Sequence, residues 1–256
     1  MKKFLSLMLA VLMVVSLAAC GGNTTEPVAE NNEEVKVETL KMATNAAFPP
    51  YEFKEGEKFV GIDVEIADAI AKELGMELEI VDMEFDSIIT SVKQGEVDFG
   101  MAGMTVTDER KVDVDFTSSY ATGVQVVIVK EDSEIKTLDD LADKMIGVQL
   151  GTTGDIYASD DYGSDHVTQY GKGADAVIAL KGGDVDAVII DNEPAKAFVA
   201  ENEGLKILDT EYAIEDYAIA VSKNNSELLE KINDALETLT ANGTIDEIIA
   251  KYIKAE

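Results

Sequence analysis

Two hydrophobic periods alternate along this chain. In "GIDVEIADAIAKELG" (61–75), Ile62, Ile66, Ile70 and Leu74 recur every four residues, the spacing of one helix face. Asp63 is the expected N-cap of that helix and Gly75 its C′ residue. The flanking stretches read as strands, 40–43 before it and the alternating "ELEIVDM" (77–83) after it. Between the first strand and the helix, Pro49 and Pro50 forbid continuation as interior strand or helix. Strand, helix, strand predicts βαβ units and an α/β architecture.

The same punctuation occurs twice. "SIITSVKQGEVDFGMAGMT" (87–105) runs from a helix through Gly95 into a buried strand ending near Ala102. "AVIALKGGDVDAVIIDNEP" (176–194) does the same through Gly182 and Gly183, ending near Ile190. Each glycine follows a helix end, where a positive φ is needed. Two such units about 90 residues apart predict two similar lobes. Both strands end in groups able to bind a ligand, Gly103 to Thr105 in one and Asp191 in the other. Ligands of open α/β sheets gather at such carboxyl ends.

Outside these periodic segments the N-terminus has its own pattern. Lys2 and Lys3 precede an apolar run over 4–19, too short for a membrane-spanning helix of about 20 residues. The run ends in Leu17-Ala18-Ala19-Cys20-Gly21, which resembles a bacterial lipobox. Cys20 is the sole cysteine, so an internal disulfide is impossible. The expectation is a signal peptide over 1–19, lipidation at Cys20, and a flexible acidic tether over 20–38.

Composition narrows the partners. The chain has 256 residues with 51 acidic and 21 basic, a formal charge of −30. Such a surface repels phosphate backbones, so nucleic acid is not expected as a partner. One histidine and a boundary cysteine leave no transition-metal cluster and no Cys/His or Ser/His/Asp constellation. No nucleotide loop follows the glycines of "GVQLGTTGDIYAS" (147–159), and no cofactor is expected.

Arg110 is the chain's only arginine. It follows Thr107, a good N-cap, so 108–110 are expected as the first turn of a short helix. A guanidinium there suits a bound anion, whose carboxylate it can grip bidentately. It equally suits a surface pair with one of many acids. Thr105 adds a hydroxyl, and the glycines around Thr153 let backbone N–H groups approach a ligand. Asp191 ends the apolar run "AVII"; it fits either a ligand ammonium or an N-cap with Pro194 near N1. Phe48 and Phe85 sit in loops after strands, as a sandwich or as core.

Together these segments resemble the family 3 solute-binding proteins, the amino-acid-binding lipoproteins of ABC importers. The residues that carry the resemblance are "ATNAAFPPYEF", "VGIDVEIADAIAKELG", "AGMTVTDERKVDVDFT", "IGVQLGTTGD", "GGDVDAVIIDNEPA" and "INDALETLTANGTIDEIIAKYI". The resemblance implies a two-lobed, type II periplasmic-binding-protein-like α/β fold joined by two hinge strands. Lobe 1 would comprise 39–121 plus 218–256 and lobe 2 125–213, with crossings near 120–124 and 216–219. It assigns Arg110, Thr105 and Thr153 to the ligand's α-carboxylate, and Asp191 with the Gly103 carbonyl to its α-ammonium. Asn45, Phe48, Phe85 and Gln149 would form the side-chain pocket. Family members for glutamine or basic ligands often carry Asp where this chain has Asn45, so a polar uncharged side chain is expected. Asp86 and Glu84 adjoin Phe85 and would restore negative charge if they faced the pocket. The implied function is capture of an L-amino acid by a monomer, anchored by lipid outside the cell membrane, and delivery to an ABC permease. The alternatives are a cyclohexadienyl- or arogenate-type dehydratase on the same fold, with Asp86 or Glu84 as proton donor, and a sensing lipoprotein without transport.

Overall fold

The computed structural model describes residues 37–254. The expected signal segment, Cys20 and the tether up to residue 36 lie outside the described residues. In chain order the strands are β1 (Thr39–Thr44), β2 (Phe53–Glu55), β3 (Lys58–Val60), β4 (Glu77–Asp82), β5 (Phe99–Gly100), β6 (Val114–Phe116), β7 (Ala121–Lys130), β8 (Ile146–Gln149), β9 (Val167–Tyr170), β10 (Ala187–Asp191), β11 (Leu205–Ile207), β12 (Ala213–Tyr217) and β13 (Ala220–Ser222). The α-helices are α1 (Ile62–Glu73), α2 (Phe85–Gln94), α3 (Arg110–Asp113), α4 (Thr153–Tyr162), α5 (Gly173–Gly182), α6 (Asn192–Glu201), α7 (Ser226–Ala241) and α8 (Thr244–Tyr252).

The strands form two separate mixed sheets and a small hairpin of β2 with β3. The first sheet has the order β4-β1-β5-β13-β6, with β1 parallel to both β4 and β5. Its last strand by sequence, β13, returns antiparallel between β5 and β6. The C-terminal α7 and α8 therefore pack on α1 of this sheet. The second sheet has the order β11-β7-β10-β8-β9, and β12 also pairs with β7. Val127, Ile128 and Val129 of β7 are all fully buried, as expected for a strand covered on both faces.

The chain crosses between the sheets twice. It passes from β6 into β7, and from β12 into β13. The two passages lie side by side, with Ala121 opposite Tyr217 and the Tyr120 N–H donating to the Tyr217 carbonyl. One apolar cluster spans both sheets, from Met42, Ile66 and Phe99 through Tyr217 to Ile128, Val188 and Ile190, and a smaller one is confined to each. Val127, Val129, Ile146, Val148 and Ile189 cluster in one, and Ile88, Val92, Met104 and Val114 in the other.

The helix expected over 62–74 forms, with Ile62, Ile66 and Ile70 fully buried. Truncating any of these to alanine should cost about 2–5 kcal/mol of stability. Its cap differs from expectation. Gly61, at φ 125°, holds the N-cap position, where a Cβ would collide with the Tyr51 carbonyl. Asp63 instead turns inward and is fully buried. Both repeated units end their helices in left-handed glycines, Gly95 at φ 74° and Gly183 at φ 87°. Their strands differ: β5 stops at Gly100, short of Ala102, whereas β10 continues to Asp191.

Candidate functional site

The carboxyl ends of β1, β5, β8 and β10 converge on one cavity. It is lined by Asn45, Phe48, Phe85, Gly103, Thr105, Arg110, Gln149, Thr153 and Asp191, together with Glu52, Ala102 and Thr152. Every ligand-contact residue expected from the sequence is thus brought to one place. Glu52, Ala102 and Thr152 were not anticipated.

Arg110 stands at one pole. Its backbone N–H donates to Thr107 Oγ1 at 3.1 Å, so Thr107 caps the turn, although the helix itself begins only at Arg110. The guanidinium is buried rather than paired with a surface acid. Nη1 donates to the Thr105 carbonyl at 2.7 Å, and Nη2 reaches the Gly151 carbonyl on the second sheet's loop at 3.0 Å. Its charge lies 5.3 Å above the Phe85 ring. Burial disfavours that charge, while Glu215 and Asp191 favour it. Beside it, α4 begins at Thr153, after Thr152 has capped the Asp155 N–H through its side chain at 3.3 Å. The leading N–H groups of that helix suit an anion.

Asp191 stands at the other pole. It occupies the N-cap position of α6 but makes no side-chain cap bond, and Pro194 falls at N3 rather than near N1. Its carboxylate accepts the Tyr217 hydroxyl instead. Burial pushes Asp191 up to about 7; the Tyr217 hydroxyl opposes this and Glu215 reinforces it. Gly103 lies close by at φ 53°, where a Cβ would come within 3.0 Å of the Phe48 ring. Its N–H donates to Asp63 Oδ2 at 2.8 Å.

Between the poles lie Phe48 and Phe85, both buried, and two amides. Asn45 donates to the Met83 carbonyl at 2.7 Å and accepts from Gln149 Nε2 at 2.9 Å, which links the two sheets. Asp86 and Glu84 are exposed and do not line the cavity. Asp86 packs beside Gly151 in an outer groove with Glu109, and Glu84 sits against Gly171.

Under the arginine pole lies a group missed in the sequence. Glu215 of β12 is buried, and its Oε2 accepts from Gln125 at 2.9 Å, Thr153 at 3.0 Å and Thr105 at 3.1 Å. The only sequence signal was indirect: Gln125 is the lone polar residue of "GVQVVIV", while Glu215 in "AIEDY" is one of two adjacent acids. Among the described residues, no group of three or more metal-ligating side chains is present. Nor is any described helix long and apolar enough to cross a membrane.

The cavity is therefore dipolar, with a cation at one end, acids at the other and aromatic walls between. Comparison with known proteins agrees with that chemistry. Residues 40–255 match the model of the bacterial extracellular solute-binding proteins, family 3. The chain belongs to that family. An arginine-binding extracellular protein, ArtP, of Bacillus subtilis is 36% identical over the whole of both chains. A probable histidine-binding protein of Campylobacter jejuni is 34% identical, over 98% of this chain and 99% of its own. Among solved structures, an ancestral arginine-binding protein bound to glutamine superposes with a TM-score of 0.80 and 44% identity. That match covers 85% of this chain and 98% of the other. The two sheets are thus the two lobes of a type II fold, and β7 and β12 belong to the paired hinge segments.

Proposed function

We propose that this family 3 protein captures an L-amino acid outside the cell and hands it to an ABC permease, without chemical turnover. The observation that carries the reading is the pairing of Arg110 and Asp191 across one cavity. A zwitterion offers each pole its complement: the α-carboxylate for Arg110, Thr105 and the Thr153 N–H, the α-ammonium for Asp191 and the Gly103 carbonyl. Lobe 1 would be 39–121 plus 218–256 and lobe 2 125–213. The cross-lobe contacts Arg110–Gly151 and Asn45–Gln149 exist only when the lobes are together, so a ligand engaging both shifts the equilibrium toward closure. Asp86 and Glu84, the acids considered for dehydratase chemistry, lie outside the cavity, which supports capture over turnover.

The side-chain end favours a polar, uncharged ligand. Asn45 and Gln149 offer amide donors and acceptors, and the carboxylates that line the cavity, Glu52 and Asp191, are taken up by the ammonium pole rather than offered to a side-chain cation. A second reading, a basic ligand, rests on the relatives named for arginine and histidine. Calorimetric titration with L-glutamine and L-arginine separates them. Tighter glutamine binding is expected, and tighter arginine binding would replace the first reading with the second.

The protein acts as a monomer tethered through lipid on Cys20. Cys20→Ser should release it from membranes, and retention of the variant in the membrane fraction would contradict the anchor.

A further inference from the structure

The ammonium pole contains two acids that the zwitterion reading leaves unused. Asp63 and Glu52 are 0% and 1% exposed, which is rare for carboxyl groups without a cation beside them. Asp63 Oδ2 accepts two bonds, from the Gly103 N–H at 2.8 Å and the Tyr120 hydroxyl at 2.9 Å. Its Oδ1 and Glu52 Oε2 meet no N–H or hydroxyl donor. The Asp63 N–H donates to the carbonyl of Tyr51, the residue before Glu52, at 2.9 Å, which brings the two carboxyl groups near each other, and each perturbs the other's titration. Two carboxyl groups buried side by side are not both charged.

Position decides which one holds it. Asp63 is held as the anion by the Gly103 N–H, the Tyr120 hydroxyl and Glu52, though burial still lifts it to about 6. Glu52, with no such donors, is raised well above the usual carboxylate range by burial and then by Asp63. The other titratable groups that act on the pair are Tyr51, Tyr120 and Asp191, all acids, so none relieves the need for a proton. Glu52 also lines the cavity, next to Phe48 and Gly103.

We propose that Asp63 and proton-bearing Glu52 form a positioning pair that aims the Gly103 carbonyl at the ligand's α-ammonium and ties that contact to the first hinge passage through Tyr120. The inference rests on the amino-acid reading above. The bond from the Gly103 N–H to Asp63 fixes the peptide plane on the N-terminal side of Gly103, and with φ held at 53° that anchors the α-carbon from which the carbonyl projects. Tyr120 immediately precedes β7, and its N–H is bonded to the Tyr217 carbonyl on the other passage. Asp63 therefore touches both the ammonium subsite and the segment that must bend for the lobes to part.

The test compares each amino acid with the analogue that lacks only its α-amine. The probes are L-glutamine with glutaramate and L-arginine with 5-guanidinopentanoate, titrated into the full chain by calorimetry. Asp63→Asn should lower the affinity ratio of amino acid to analogue by about tenfold, the scale of one hydrogen bond to a charged group. Glu52→Ala should lower it similarly, and Glu52→Gln should recover most of that loss. A merely structural pair would weaken both probes equally, and that result overturns the proposal. If Asp63→Asn fails to fold, Tyr120→Phe asks the same question while keeping the ring, with about a threefold drop in the ratio expected. A ratio equal to wild type would overturn the proposal there too. Wild-type protein that binds none of the twenty L-amino acids defeats the underlying reading, whereas wild-type binding with unmoved ratios in the variants defeats the pair alone.

Discussion

Arg110→Lys preserves charge and removes only the fork. In the structure, Nη1 is committed to the Thr105 carbonyl at 2.7 Å and Nη2 to the Gly151 carbonyl at 3.0 Å. Those two bonds use two of the guanidinium's five N–H groups and leave three for a carboxylate. An ammonium has three in all. If it satisfies the same two carbonyls, a single N–H remains for the ligand. The variant thus forfeits one to two charge-assisted bonds, worth about 1.5–3 kcal/mol each, or about 2–4 kcal/mol together after relaxation. That predicts a Kd weakened by about 30- to 1,000-fold. The packing over Phe85 is kept by the lysine stem, so the empty variant should unfold within about 4 °C of wild type, the shift of roughly 1 kcal/mol in a chain this size. Calorimetric titration with L-glutamine and L-arginine reads the first quantity, and thermal unfolding without ligand the second. A folded variant that binds within threefold of wild type would refute the assignment of Arg110 to the carboxylate.

Three further outcomes follow from the geometry. Asp191 is raised to about 7 in the empty site, and a bound ammonium favours its anion. Affinity should hold above pH 7 and fall as pH drops below it, by up to about tenfold per unit. In the empty protein the sign reverses: the unfolded chain holds fewer protons on this group than the folded one between about pH 4 and 7, so its contribution to stability declines as pH rises through that window. A flat affinity profile from pH 5 to 8 would contradict the role of Asp191. Asn45→Asp places a carboxylate at the neutral end of the cavity and should raise the arginine-to-glutamine affinity ratio at least about tenfold; an unchanged ratio in paired titrations would show that Asn45 does not read the side chain. Gly123→Ala puts a methyl where the Tyr217 hydroxyl lies, separating it from Asp191. It should weaken binding by about tenfold and move the pH midpoint of binding upward, both read by titration; wild-type affinity would mean that Tyr217 does not tune Asp191.

Much of the architecture was legible because it rests on local rules. The four-residue period of α1 and the left-handed glycines after α2 and α5 follow from backbone geometry alone. The isolated Arg110 and the carboxylate ending "AVII" stood out because each breaks its local pattern. Asp63 was misread for a tertiary reason. Gly61 takes the cap because the Tyr51 carbonyl leaves no room for a Cβ, and that contact is invisible in a 15-residue window. Glu52 and Glu215 were missed among 51 acids, since nothing nearby in sequence marks them as buried. Their partners, Asp63 for one and Thr105, Gln125 and Thr153 for the other, lie mainly on different elements, and only the fold brings them together.

The central claim is that the cavity clamps an amino-acid zwitterion. Its most direct test is thermal unfolding of protein stripped of bound ligand, measured against each of the twenty L-amino acids in turn. A ligand at 100 times its Kd adds about 2.7 kcal/mol, or roughly 5–10 °C in a chain of this size. The account predicts such a shift for one or a few amino acids, those with polar uncharged side chains foremost. No shift with any of them would contradict it.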